Sequence, residues 1–143
     1  MSDRRALVLD RLARGESLAG YDLRGIDLAG ARCYGVNAEG QISHPADFRG
    51  ANLAGANLHK ADCLDADFTG AILAGACLQA AYFFGTNLSE ADCSNVNALQ
   101  LHCYSVQAIG SNWENANLSE SQLTASDFTN AMLVGVTLNA ANL

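Results

Sequence analysis

The chain has a single proline, no lysine or arginine after Lys60, and few charges of either sign: 16% of its 143 residues. Aromatic residues make up only 7%, yet half the chain is hydrophobic. A disordered polypeptide needs the reverse balance, so that class is excluded. No apolar run approaches the roughly 18–20 residues of a membrane span, so no membrane partner is expected. The opening MSDRR lacks the apolar stretch of a secretory signal, and the five cysteines contain no CxxC pair. Reduced thiols and a cytoplasmic location are the expectation. The net charge of −7 argues against a protein that grips nucleic acid through phosphates. That charge is lopsided. Residues 1–60 hold all eight basic side chains against seven acidic ones, and residues 61–143 hold eight acidic and no basic ones, so the second half projects a negative field.

What the chain does have is a period. From Glu16 it divides into fives without an insertion: ESLAG, YDLRG, IDLAG, and so on to Ala141-Asn142-Leu143. The 26 central positions hold thirteen Leu, four Phe, four Cys, three Ala, one Trp and one Ser, and no charge. Two residues earlier, thirteen of 26 are Ala; between the two, fifteen of 26 are Asp or Asn. Uncharged centres beside small neighbours read as inward positions. A period of five suits neither a helix at 3.6 nor a flat strand at two. A chain that bends once per pentad resolves the conflict: every centre points inward from a new side, Asx and Gly make the bends, and coils stack as a solenoid.

These A(D/N)LxG units resemble the pentapeptide repeat family, over residues 16–143. The resemblance implies an all-β right-handed quadrilateral β-helix with four pentads per coil. Twenty residues per coil gives about six coils and a rod roughly 30 Å long. Residues 1–15 form a separate N-terminal cap: a helix over 3–14 with Ser2 as N-cap, an apolar stripe of Ala6, Leu9, Leu12 and Ala13, and Gly15 as its stop. At the other end Met132, Val134 and Leu143 lie at an uncovered solenoid end, which predicts end-to-end homodimerisation, as in some members of the family, or a further domain.

Folding the sequence at a constant twenty residues arranges the outward sites into faces. One carries Asn37, Asn57, Asn97 and Asn117, and another is mixed, with Arg32, Asn52, Asp92 and Asn112. A third gathers Ile42, His44, Leu64, Tyr82, Phe84, His102 and Tyr104, an apolar and aromatic patch of the kind that binds proteins. The fourth is acidic: Asp27, Asp47, Asp67 and Asp127 recur at multiples of twenty, with Asp65 and Glu90 near the corners and Arg49 at the lower end. Inside, Trp113 is matched by the small centres Ala98, Cys103 and Ala108, which conserves core volume. The centres Ala38 and Ser43 look weaker, and Pro45 is expected to interrupt the ladder there.

Enzymatic chemistry finds no support. Cys33, Cys63, Cys93 and Cys103 occupy inward centres, while His102 faces out, so no metal site or Cys/His pair forms; Cys77 alone sits outward. Asp62, Asp65 and Asp67 lack the spacing and glycine of a calcium loop. No cofactor is expected. The leading function is therefore a non-enzymatic protein-interaction module presenting rigid faces. The resemblance adds two alternatives. One is a mimic of duplex DNA that occupies gyrase through the acidic face, as the quinolone-resistance members do; the other is an adaptor in a bacterial secretion or regulatory system.

Overall fold

The computed structural model describes residues 3–143. Helix α1 (Arg4–Ala13) opens the chain. Ser2 lies outside the described residues; the N-cap is Asp3, whose carboxylate accepts from the Arg5 amide at 3.0 Å. Gly15, at φ +71°, ends the helix as expected, a left-handed position that favours glycine. The buried stripe is Val8 and Leu12, with Leu9 packed beside them, whereas Ala6 and Ala13 are exposed.

From Leu18 onward the pentads build the expected stacked coils. Within the stack, the centre donates its amide to the coil above and the residue before it donates to the coil below: Phe48 N–H to Asp67 O at 2.8 Å, Asp67 N–H to Ala46 O at 2.9 Å. Four bridge positions pass before the chain returns over itself, as Asp47, Asn52, Asn57 and Asp62 lie beneath Asp67, Ile72, Cys77 and Tyr82 in parallel register. Most corners are turns in which the centre's carbonyl accepts from the next pentad, such as Ala51 N–H to Phe48 O at 2.9 Å. The last residue of the pentad takes positive φ, supplied by glycine at Gly70 and forced on Asp65, Ala80 and Glu90. The preceding Asx oxygen braces the turn; Asp67 Oδ1 accepts from Thr69 N–H at 2.9 Å.

The lower part departs from a constant twenty-residue repeat. Asp22 pairs with Asn52, Asp27 with Asn57 and Arg32 with Asp62, an offset of thirty. The extra ten residues leave the solenoid as an antiparallel hairpin, β1 (Tyr34–Val36) and β2 (Ile42–Pro45). Asn37 organises its turn, accepting from the Glu39 and Gln41 amides, and Pro45 closes the hairpin opposite Tyr34 instead of breaking a coil. Ala38 and Ser43 are consequently exposed rather than core. Cys33 sits beneath Cys63 and not, as the constant repeat required, in the column of Leu53.

The core runs from Val8 to Leu123 and carries stacked rings: Phe48 on Phe68 at 4.8 Å and Phe68 on Phe83 at 5.4 Å. Trp113 is fully buried; its Nε1 donates to Ser111 Oγ at 2.8 Å.

The two ends differ. In upper coils the carbonyls of Asn52, Ala54 and His59 accept amides from the coil beneath. Their counterparts in the first coil, Asp22, Arg24 and Ala29, instead accept from guanidinium groups of α1: Arg4 serves Asp22 and Arg24, and Arg5 serves Ala29 at 3.1 Å. Two arginines thus replace missing backbone donors at a parallel edge that would otherwise invite pairing. At the upper end nothing similar occurs among the described residues. Ala108, Trp113 and Leu118 donate their amides upward, but the equivalent amides of Phe128, Leu133 and Leu138 meet no backbone acceptor. An apolar hollow of about 140 Å³ opens there between Leu118, Leu123, Phe128, Leu133, Leu138 and Leu143.

Candidate interaction face

In-register coils place equivalent outward residues one strand spacing apart, so a column of rings becomes a stack. On one side of the solenoid a column runs Arg32, Asp62, Tyr82, His102, Gln122. Two residues later in each pentad stand Leu64, Phe84 and Tyr104. Tyr82 stacks on His102 at 4.6 Å and Phe84 on Tyr104 at 5.0 Å, with ring planes within 7° and 11° of parallel. Tyr82 and Phe84 lie side by side at 6.5 Å, completing a two-by-two array. Tyr82 is 42% and Phe84 36% exposed; His102, Tyr104 and Leu64 are half-buried. Acidic groups border the array. Asp65 projects over Gly85, its carboxylate filling the space a Cβ would take, and Asp62 accepts from the Tyr34 hydroxyl at 2.9 Å. Burial first, then this bond, raises the Tyr34 pKa.

The five ring-bearing and aliphatic residues expected to share a face therefore do so, but Ile42 does not. It lies in β2, which the ten-residue excursion carries off the solenoid, and the exposed His44 lies close to Gly15 and Gly35 instead of beside Leu64.

The acidic column is Ser17, Asp47, Asp67, Asn87, Gln107, Asp127. Asp27 is absent from it because the excursion displaces the first coil by half a turn; Asp27 lies under Asn57, whose Nδ2 donates to it at 3.2 Å. Most of these carboxylates are engaged within the protein. Arg49 sits on Asp47 at 2.8 Å and, helped by the Ser17 hydroxyl, holds its pKa well below the usual carboxylate range. Asp67 accepts from the Thr69 hydroxyl at 2.6 Å, and the Thr129 hydroxyl and amide lower the pKa of Asp127. Glu90 stands at a corner with its carboxylate over Gly110, as Asp65 does over Gly85.

At the upper end Met132 and Val134 are exposed, 50% and 67%, and Leu143 is 79% exposed. Sequence reasoning missed their neighbours Phe128, Leu133 and Leu138, although these are the centres of the last coil, where no coil above covers them. Among the described residues, no group of three or more His, Cys, Asp or Glu is arranged to hold a metal ion.

A sequence profile described as pentapeptide repeats, in eight copies, matches residues 46–83 and 102–143. The chain belongs to the pentapeptide repeat family. Proteins of that family fold as right-handed quadrilateral β-helices, and the four-sided parallel coils seen here are that architecture. The matched segments omit the hairpin and α1. Among curated proteins no sequence matches this one. Solved structures similar to it include the pentapeptide repeat protein Rfr23 from the cyanobacterium Cyanothece 51142, 24% identical over 96% of this chain and 97% of that one, with a TM-score of 0.46. HetL from Nostoc sp. strain PCC 7120, involved in heterocyst differentiation regulation, is 17% identical over 95% and 93%, with a TM-score of 0.48. Full-length QnrB1, a plasmid-mediated fluoroquinolone resistance protein, is 20% identical over 90% and 80%, with a TM-score of 0.35.

Proposed function

We propose that this pentapeptide repeat protein is a non-enzymatic interaction module of the reducing cytosol. It docks a protein partner on Leu64, Tyr82, Phe84, His102 and Tyr104. The observation that carries the reading is the exposed two-by-two ring array on a rigid parallel face. Stacking holds each ring in place before contact, which reduces the ordering cost of binding. Asp62 and Asp65 border the rings, and no lysine or arginine follows Lys60, so the fitting partner has an apolar centre and a cationic rim. Affinity capture from the native host with the wild type and a Tyr82→Ala/Phe84→Ala double variant tests this. The variant should lose the specific partner, and an unchanged set of bound proteins would remove the face from consideration.

Mimicry of DNA toward gyrase ranks second. A cation-free upper half supports it, but Asn87 and Gln107 interrupt the acidic column, and Asp47, Asp67 and Asp127 are turned toward Arg49, Thr69 and Thr129. A supercoiling assay with micromolar protein decides it: inhibition that Asp67→Lys/Asp127→Lys abolishes would promote it to first. The open apolar end around Leu133 and Leu143 further supports a homodimer joined end to end, which light scattering of Leu133→Lys against wild type would test.

A further inference from the structure

One cationic feature stands apart from this otherwise acidic surface. Between the flank of α1 and the base of the hairpin lies an open cleft of about 570 Å³. Its walls are Arg5, Leu9 and Ala13 on one side, Ala31 and Arg32 on the first coil, and Tyr34 and Val36 on the hairpin. The walls meet at Gly35, where the Ala13 carbonyl already occupies the space a Cβ would need. No carboxylate lines the cleft, and the nearest one on the same column, Asp62, accepts the Tyr34 hydroxyl.

The arginines elsewhere are satisfied. Arg11, Arg14, Arg24 and Arg49 each sit on an Asp or Glu, and Arg4 caps two backbone carbonyls. Arg5 gives one of its five donors to Ala29 O. Among the described residues Arg32 has neither an ion pair nor a side-chain hydrogen bond, in a protein with an excess of seven negative charges. Val36 is 48% exposed at the mouth of the cleft, and Leu9 is half-buried. Two guanidinium groups with open donors, set against aliphatic walls and a phenol ring, fit one kind of occupant. We infer that this cleft binds an organic anion, with its carboxylate, sulfonate or phosphate held by Arg32 and Arg5 and its apolar body against Leu9, Ala31 and Val36. The cleft is within the roughly 300–1,000 Å³ range of ligand sites, and the planar donor fork of arginine matches such oxyanions.

The probe is 8-anilinonaphthalene-1-sulfonate, followed by fluorescence titration of the full chain, with anionic naphthalene-1-sulfonate and neutral 1-naphthalenemethanol as competitors. Arg32→Gln and, separately, Val36→Asp should each weaken binding at least five-fold. Both lie outside the core, so circular dichroism should match the wild type. Arg24→Gln, which removes a cation already paired with Asp22, should leave affinity unchanged. If neither Arg32→Gln nor Val36→Asp alters the titration, the dye sits elsewhere, at the apolar upper end for instance, and the inference fails. It fails equally if the neutral alcohol competes as well as naphthalene-1-sulfonate does, since charge would then play no part.

Discussion

Removing residues 36–45 should leave a folded solenoid that is at least as stable as the parent. The excision joins ARCYG directly to ADFRG, keeps the five-residue frame, and places Gly35 at a corner that calls for positive φ, which glycine adopts freely. None of the ten removed residues is buried, so the hydrophobic loss is close to zero. Shortening the twelve-residue excursion from Cys33 to Ala46 to an ordinary corner recovers about 2 kcal/mol of loop-closure entropy. Lost contacts of His44 with Gly15 and Gly35 offset part of that gain. The expected melting temperature therefore lies between that of the parent and about 10 °C above it. Excising residues 96–105 is the matched control, since it has the same length and also preserves the frame. It removes the buried Val96, Ala98, Leu101 and Cys103 and rotates every coil above by half a turn, at a cost of more than about 4 kcal/mol. Thermal unfolding followed by circular dichroism separates the two. If the 36–45 excision lost as much stability as the control, those residues would form a coil and the thirty-residue offset would be wrong.

Trp113→Ala should cost about 3–5 kcal/mol in a urea titration, because the indole is fully buried and its hydrogen bond to Ser111 goes with it; a loss under about 1 kcal/mol would refute its inward placement. In native protein at pH 8 a thiol reagent should modify Cys77 first. Burial raises the Cys93 pKa and pushes Cys103 up to about 12, and the Cys33 thiol together with burial raises that of Cys63, so rapid labelling of all five would contradict the fold. Asp47→Asn should destabilise by roughly 1 kcal/mol at pH 6, a value kept small by solvent screening. The folded-state pKa of Asp47 is depressed, so its contribution is present above the unfolded value near 4 and fades as pH falls toward the folded one. The gap between wild type and variant should accordingly narrow below pH 4, and a constant gap down to pH 2 would exclude the ion pair as its source.

The repeat was legible because no charge occupies any of the 26 centres, and a five-residue period admits few geometries. The hairpin was hidden by arithmetic: its ten residues are two repeat lengths, so the frame continues across a segment that has left the solenoid. The local chemistry was nevertheless unusual. Ala38 and Ser43 are the smallest adjacent pair of centres, Val36 and Gln41 replace the usual Ala, and the only proline follows at once. A break in composition inside an unbroken frame was the available signal. Missing it misplaced residues only below the excursion or within it, which is why Asp27 and Ile42 were assigned to the wrong columns while Tyr82, Phe84, His102 and Tyr104 were not.

The ends were harder to read, because a solenoid edge is a row of backbone groups and the sequence carries no direct mark of how they are satisfied. Four arginines in the first fourteen residues look like surface charge on a helix. Only the geometry reveals that Arg4 and Arg5 stand in for the amides of a coil that does not exist. The same logic makes the upper end asymmetric. Its centres need apolar cover, which Val8 and Leu12 of α1 give the lower end, but its amides at Phe128, Leu133 and Leu138 need acceptors, which the guanidinium donors of a helix of the α1 type cannot supply. A second upper end, turned over by a two-fold axis, brings free carbonyls such as those of Ala131 and Val136 to face free amides while leucines meet leucines. That complementarity makes a symmetric pairing of upper ends physically sensible, and it requires the dimer to vanish when Leu133 becomes lysine while α1 and the lower coils remain intact.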